Sequence, residues 1–123
     1  MVKKHLKSYK YAKDGFLELL TVENHNFIIE LIVTGCVLLA GYLLEVSKSD
    51  WIFIILCSGL VLITEIINTA IEATCDAIDT KHNLQIKLAK DLAASAVVMA
   101  GIVSLIIGLA IFLPKVIGLF TAI

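Results

Sequence analysis

The chain of 123 residues contains no arginine and a single proline, Pro114. Without arginine, a phosphate group cannot be bound by a bidentate guanidinium and has to be bound by lysine, which acts as a point charge. Three cysteines lie in or beside apolar segments without a Cys-x-x-Cys spacing, which argues against a disulfide framework or a zinc site. Neither a P-loop motif nor a glycine-rich G-x-G-x-x-G loop is present, so nucleotide-binding folds built on these loops are excluded.

Charge is also scarce, and this defines the class of protein. Charged residues make up 17% of the chain, hydrophobic residues make up 59%, and the mean hydropathy is +0.96. A soluble domain has about 45–50% apolar and about 25% charged residues. We therefore predict an all-α integral membrane protein that forms a single domain over residues 1–123. The formal net charge of −1 points to no particular partner, and no nucleic-acid partner is expected.

Three apolar stretches are long enough to cross the bilayer as helices. A helix needs about 20 residues to cross a hydrocarbon core of about 30 Å. The predicted transmembrane helices are residues 26–44, 50–79 and 91–113, and Pro114 is expected to end the third. Apolar residues of the first 22 positions recur with a helical period, which predicts an amphipathic helix over residues 1–22 at the membrane surface.

The lysines predict the orientation of these helices. Eight of the ten lysines lie before the first span or between the second and third spans. The loop between the first two spans has only Lys48, and the segment after the third span has only Lys115. By the positive-inside rule, the protein is a multi-pass protein of the cell membrane, with a cytoplasmic N-terminus and its C-terminus outside.

A polar stripe interrupts the second span. Five polar side chains recur at intervals of three and four residues, and therefore share one face of the helix: Glu65, Asn68, Glu72, Asp76 and Asp79. An ionised carboxylate at the bilayer centre costs about 2.5–3.5 kcal/mol on insertion scales, so the stripe indicates a functional site. For Asp79 alone, a solvated helix end is expected.

Carboxylates beside a basic loop indicate phosphate chemistry. Residues 80–91, which follow the stripe, include three lysines. Mg²⁺ prefers oxygen ligands and is usually bound by one or two carboxylates together with substrate phosphates, and phosphoryl transfer needs such neutralisation. Two other classes remain open from the residues alone: an ion-pathway or proton-relay subunit, whose carboxylates would run across the midplane or onto a pore, and a small regulatory membrane peptide.

Two sequence motifs resemble those of a known family. They are Glu65-Ile-Ile-Asn-Thr-Ala-Ile-Glu72, followed by Asp76, and Ala89-Lys-Asp-Leu-Ala-Ala-Ser-Ala-Val97. Together they are similar to the E-x-x-N-[TS]-A-I-E … D … A-K-D pattern of the prokaryotic diacylglycerol kinase family, and the resemblance extends from Tyr9 to Lys115. It implies a membrane lipid kinase that transfers the γ-phosphate of ATP, with Mg²⁺, to a lipid alcohol.

The resemblance also implies an acceptor and an assembly. Lys81-His82, Ile107-Gly108 and Ile111-Phe-Leu-Pro-Lys115 are similar to the undecaprenol kinase branch, so undecaprenol is the expected acceptor and diacylglycerol the alternative. The family implies a homotrimer with active sites shared between neighbouring chains. Ala94, Gly101 and Gly108 recur every seven residues, as expected of a stripe for close helix packing.

The roles of individual residues follow from the same resemblance. Glu65 would be the general base that takes the proton of the lipid hydroxyl. Asn68 would orient the phosphate or the substrate, and Glu72 would be a Mg²⁺ ligand. Lys90 would contact the nucleotide phosphates. Transfer is expected to be direct, because no residue has the activating partners that a covalent intermediate needs.

Further residues would support the nucleotide and the metal. Asp91 would organise the nucleotide end of the site, and Asp76 would support it from the stripe. Lys81 and His82 either contact the nucleotide or simply carry positive-inside charge.

One more metal ligand is implied just before the first span. Counting from Gly15 gives Glu23 for this ligand, whereas counting back from Phe27 gives Asn24; we assign Glu23. Glu30 lies within the first span, where it is expected either near the access route of the lipid or paired with another helix.

Overall fold

A computed structural model describes residues 2–21, 25–78 and 83–121 of the chain. Within these ranges the backbone is helical apart from short connections. The helices are α1 (Val2–Leu19), α2 (His25–Leu43), α3 (Lys48–Ile78) and α4 (Leu84–Thr121). The length and composition of α2, α3 and α4 are sufficient for each to cross a membrane.

The predicted all-α architecture with three long apolar helices is confirmed. Helices α2 and α3 begin and end within two residues of the predicted boundaries, a difference common to any helix assignment. Helix α1 contacts the bundle through Phe16, whose ring meets the Phe27 ring edge-on at a centroid distance of 6.1 Å. The amphipathic, surface-bound character of α1 stays a prediction.

Helix α4 is longer at both ends than the predicted third span, and the expectation that Pro114 ends it is wrong. The helix begins at Leu84 because Asn83 caps it: the Asn83 Oδ1 accepts hydrogen bonds from the backbone N–H groups of Gln85 (2.9 Å) and Ile86 (3.4 Å). It also continues through Pro114 to Thr121. Proline removes one backbone donor, but transmembrane helices tolerate proline because neighbouring groups and local adjustments of the helix satisfy the freed carbonyl.

The turn between α2 and α3 is fixed by hydrogen bonds at both helix ends. Glu45 has a positive φ of 47° at the end of α2. The Val46 N–H bonds to the Gly41 carbonyl and the Glu45 N–H to the Tyr42 carbonyl, which together form a Schellman motif. At the start of α3, the Asp50 N–H donates to the Ser47 Oγ and the Ser47 N–H donates to the Asp50 carboxylate, each at 3.1 Å. These two reciprocal bonds form a capping box.

Helix α3 packs against both α2 and α4. On the α4 side, Ala93 and Ala100 are buried, and the Ser104 Oγ donates a hydrogen bond to the Cys57 carbonyl at 3.3 Å. Small side chains at these positions allow the two helices to approach closely.

The small residues that α4 buries are not those of the predicted packing stripe. A Cβ atom added to Gly101 or Gly108 would meet no atom within 4 Å, so these glycines make no close contact within the described part of the chain. The small residues that α4 buries are Ala93 and Ala100, one position away from the predicted series. A contact between chains through the predicted stripe stays a prediction.

We predict that Gly41→Val destabilises the fold. A Cβ atom at Gly41 would lie 3.1 Å from the Trp51 ring and 3.4 Å from the Ile54 Cδ1, so a larger side chain forces α2 away from α3. Overpacking of this kind costs about 1–3 kcal/mol. The measurement is thermal unfolding in detergent micelles, followed by the fluorescence of Trp51, the one tryptophan.

The matched control is Gly35→Val on the same helix. A Cβ atom at Gly35 meets no atom within 4 Å, so this variant should unfold at the parent temperature. Equal unfolding temperatures for the two variants would contradict the close contact between α2 and Trp51.

Candidate active site

Two residues of the polar stripe are buried inside the bundle. Glu65 is 4% exposed and Asn68 is 6% exposed, and both lie on α3 with one turn between them. Glu72 and Asp76, one and two turns further along the same face, are both exposed. The stripe therefore runs from the interior of the bundle to its surface, with a carboxylate at each end.

Two buried oxygen atoms near this stripe have no hydrogen-bond partner among the described residues. They are the Oδ1 of Asn68 and one carboxylate oxygen, Oε2, of Glu30. A buried polar atom without a partner costs about 1–3 kcal/mol, and such atoms are rare in native proteins. Their presence on α3 and α2 indicates a place where polar groups of a ligand are received.

Glu30 belongs to the same group of charges as Glu65. The two carboxylates, one on α2 and one on α3, lie within electrostatic range of each other, and Glu65 is also within range of Glu72. Glu65 therefore has one carboxylate neighbour on α2 and another on its own helix, and like charges at this range repel each other.

A lysine from α4 meets the exposed end of the stripe. The Lys90 Nζ donates to an Asp76 carboxylate oxygen at 2.5 Å, and this ion pair joins α3 to α4. The Lys90 side chain is half-buried and that of Asp76 is exposed. An exposed pair contributes only about 0–1 kcal/mol to stability. Its main consequence is therefore the position of Lys90, which is held beside the carboxylates of α3.

Asp91 lies next to Lys90 in sequence but has a different partner. Its carboxylate accepts a hydrogen bond from the Lys87 Nζ at 2.5 Å, and both side chains are exposed. The spacing of four residues on one helix, which favours such pairs, is the sequence signal for this contact. The structure therefore brings Asp76 and Lys90 together and places Asp91 on the solvated surface beside them.

Several predicted site residues lie outside the described residues. They are Glu23, Lys81 and His82, together with the alternative ligand Asn24 and the helix-end residue Asp79. In the ranges that are described, no three His, Cys, Asp or Glu side chains converge as a metal site would require. The Glu72 carboxylate and the unpaired Asn68 Oδ1 are nevertheless hard oxygen donors, which fits Mg²⁺ bound jointly by one or two carboxylates and by phosphates.

The similarity to known proteins covers most of the chain. Residues 10–112 match the sequence profile of the family described as prokaryotic diacylglycerol kinase. The chain is 43% identical over 109 residues to the undecaprenol kinase of Bacillus subtilis, covering 89% of this chain and 88% of that protein.

Two other relatives carry the name diacylglycerol kinase. One, from Synechocystis, is 33% identical over 115 residues, covering 93% of this chain and 65% of that protein. The other, from Helicobacter pylori strain J99, is 33% identical over 94 residues, covering 76% of this chain and 73% of that protein. On this match, which includes the whole polar stripe and its lysine partner, the chain belongs to the prokaryotic diacylglycerol kinase family.

Proposed function

We propose that the protein is a membrane lipid kinase that transfers the γ-phosphate of ATP to undecaprenol. The observation that carries the choice of acceptor is the 43% identity to an undecaprenol kinase along nearly the full length of both chains. The unpaired oxygens beside Glu65 support a site that receives a polar group from within the membrane.

The reaction is a direct in-line transfer. The hydroxyl oxygen of the lipid attacks the γ-phosphorus, a new P–O bond forms, and the bond between the γ-phosphorus and the bridging oxygen breaks, so that ADP leaves. Glu65 accepts the hydroxyl proton, because its carboxylate is the acid–base group at the buried end of the stripe. Asn68 holds the hydroxyl or the phosphate through its unpaired amide oxygen and its amide N–H groups.

Lys90 neutralises the phosphates of the nucleotide. Its ammonium lies at the exposed end of the stripe, where a nucleotide arriving from water meets it first. Without nucleotide, the Asp76 carboxylate is the partner of Lys90. A phosphate oxygen then replaces Asp76 or shares the ammonium with it, which an exposed pair permits at little cost. Asp91 and, beyond the described residues, Lys81 and His82 complete the nucleotide end.

Mg²⁺ would be held by Glu72 and Glu23 together with the phosphates of ATP. When bound, it neutralises the negative charge that builds up on the transferring phosphoryl group. Glu72 lies towards the surface end of the stripe, where a metal ion arrives together with its nucleotide.

The orientation and the assembly are parts of the same proposal. The lysine-rich ends of α1 and α4 face the cytoplasm, and ATP binds from that side, as the positive-inside rule predicts. The protein forms a homotrimer with shared sites. Glu72 and Asp76 are accessible in a single chain, and a neighbouring chain that covers them would enclose the nucleotide.

Diacylglycerol is the second candidate acceptor. Two relatives at 33% identity are named as diacylglycerol kinases, and the mechanism would be the same. The difference lies in the shape of the lipid chain rather than in the reacting groups.

We predict that the protein transfers labelled γ-phosphate from ATP and Mg²⁺ to undecaprenol in mixed micelles, in preference to diacylglycerol. Glu65→Gln, which keeps the size of the side chain but removes the base, should lower kcat by about 100-fold or more, since a positioned base contributes about 10²–10⁴-fold. The measurement is the initial rate with each lipid offered alone and as a mixture.

The control is Glu45→Gln at the turn between α2 and α3, where the side chain is exposed. This variant should retain the parent rate. Preferential labelling of diacylglycerol would change the acceptor and leave the mechanism in place. If folded protein labels neither lipid, the proposed kinase activity is refuted, and the acidic stripe is better explained as part of an ion pathway.

We also predict that Lys90→Met raises the KM for ATP at least tenfold and changes the KM for the lipid little. The charge that the nucleotide phosphates need is lost, whereas the buried residues that receive the hydroxyl are unchanged. Lys48→Met, at the opposite end of α3, is the control. A parallel rise of both KM values would show that Lys90 acts on the packing of α4 and not on the nucleotide.

A further inference from the structure

A cavity of about 420 Å³ lies at the end of the bundle opposite to the candidate active site. The last residues of α2, the turn that follows them and the last turns of α4 form its walls. The described residues that line this end cavity are Leu43, Leu44, Glu45, Lys115, Gly118 and Leu119. The end cavity is therefore mainly apolar and has one lysine in its wall on α4.

The position of Lys115 along α4 gives its level in the membrane. Lys115 follows Lys90 by 25 positions, and residues 92–114 carry no charge. At 1.5 Å per residue this spacing corresponds to about 37 Å of helix. A bilayer has a hydrocarbon core of about 30 Å and is about 40–45 Å thick with its headgroups. With Lys90 at one surface, the helix places Lys115 in the headgroup layer of the opposite leaflet.

Two aromatic side chains support this level. Tyr42, close to the end of α2, is 73% exposed, and the Trp51 ring lies against Gly41. Tyrosine and tryptophan are enriched where the membrane meets water. The Lys115 Nζ reaches the Glu45 carbonyl in the adjoining turn, so the lysine and both aromatic residues lie at the same end of the bundle.

The ammonium group of Lys115 is incompletely paired within the described part of the chain. The side chain is half-buried, and its bond to the Glu45 carbonyl is 3.5 Å long, beyond the usual range of about 2.7–3.2 Å. An ammonium carries three N–H donors. The ion pairs among the described residues involve Lys87 and Lys90 instead. A half-buried cation with spare donors beside an unfilled cavity indicates an anionic ligand.

The space beside this ammonium is bounded by apolar side chains. Gly118 and Leu119 follow Lys115 by three and four positions and therefore share its face of α4. A Cβ atom at Gly118 would meet no atom within 4 Å, so the described chain leaves this space open. Leu43 and Leu119 are both more than half exposed. A cation bordered by exposed leucines matches a molecule with an anionic head and an apolar chain.

We propose that the end cavity binds an anionic phospholipid of the leaflet opposite to the candidate active site. The phosphate accepts hydrogen bonds from the Lys115 N–H groups that the Glu45 carbonyl leaves unused, and the first part of an acyl chain lies against Leu43 and Leu119. The lipid takes no part in phosphoryl transfer. It stabilises the contact between α4 and the turn that joins α2 to α3.

A carboxylate from a second copy of the chain is the competing anion. Glu45 is exposed on the turn, so the Glu45 of a neighbouring chain is the natural candidate. A carboxylate would neutralise Lys115 but would leave the exposed leucines of the cavity uncovered. A phospholipid covers the charge and the leucines together, and its phosphate lies at the level that Lys115 reaches.

The test uses Trp51, the one tryptophan, as a local reporter. Its ring lies against Gly41, one helical turn before Glu45, whereas α1 with its lysines meets the start of α2 at the other end of the bundle. The protein is reconstituted into phosphatidylcholine bilayers. Phosphatidylglycerol or phosphatidylcholine, each with a spin label at the fifth carbon of one acyl chain, is then added as a quencher of Trp51 fluorescence.

Labelled phosphatidylglycerol should reach half-maximal quenching at a mole fraction at least twofold lower than labelled phosphatidylcholine. Lys115→Met should abolish this preference, and Lys115→Arg, which keeps the charge, should retain it. Gly118→Leu fills the space in front of Lys115 without changing the charge and should also reduce the preference. Equal quenching of the parent by the two lipids would overturn the proposal, and so would a preference that survives in Lys115→Met or Gly118→Leu.

The matched control is Lys48→Met. Lys48 is exposed at the start of α3, at the same end of the bundle, but does not line the end cavity. This variant should keep the preference of the parent, and an equal loss in Lys48→Met and Lys115→Met would reduce the effect to general surface charge. The unfolding temperature of each variant in detergent micelles shows that it is folded.

Two further outcomes would assign Lys115 to another anion. Loss of assembly in both Lys115→Met and Glu45→Gln, without a lipid preference in the parent, would assign it to the carboxylate of a second copy. A preference that inorganic phosphate removes, and chloride at equal ionic strength does not, would assign it to a soluble anion. None of these measurements depends on kinase activity, so the proposed function and the lipid site stand or fall separately.

Discussion

The hydrocarbon core offers no water to polar groups, and most features of this protein follow from that constraint. Backbone groups are satisfied within helices, so the three long elements have to be helical. Ionisable side chains are costly there, so those within a span are expected to face the interior of the bundle. Glu65 and Asn68 are buried on one helix, and Glu30 approaches them from another. Because water is absent, the unpaired oxygens of Asn68 and Glu30 have a strong tendency to bind polar groups.

Much of the fold could be predicted because it follows from patterns within short stretches of the sequence. Uninterrupted apolar stretches of about 20 residues indicate α2 and α3 almost to their ends. The three- and four-residue spacing alone places Glu65, Asn68, Glu72 and Asp76 on one face of α3. These features depend on the period of a single helix, which is visible in the sequence.

Relations between helices could not be predicted in the same way. Glu30 is an isolated carboxylate on α2, and its approach to Glu65 depends on how two helices rotate against each other. The ion pair between Asp76 and Lys90 likewise joins residues 14 positions apart, across a helix connection. Pro114 is a misleading local signal, because a proline that would usually end a helix in water is tolerated inside a transmembrane helix. The face of α4 that packs within the chain could not be predicted for a similar reason. Heptad spacing identifies small residues but not the helix that they contact.

The two ends of the bundle are joined by contacts of different strength. At the turn between α2 and α3, a Schellman motif, a capping box and the Trp51 ring against Gly41 fix the helices, and the Lys115 Nζ donates to the Glu45 carbonyl at 3.5 Å. At the other end, α3 and α4 are bridged by an exposed ion pair that water can replace. On α3 the residues from Trp51 to Thr64 are almost entirely apolar and the acidic stripe begins only at Glu65, so the stripe gives ions no continuous polar path across the bilayer and the permeability barrier of the membrane is preserved.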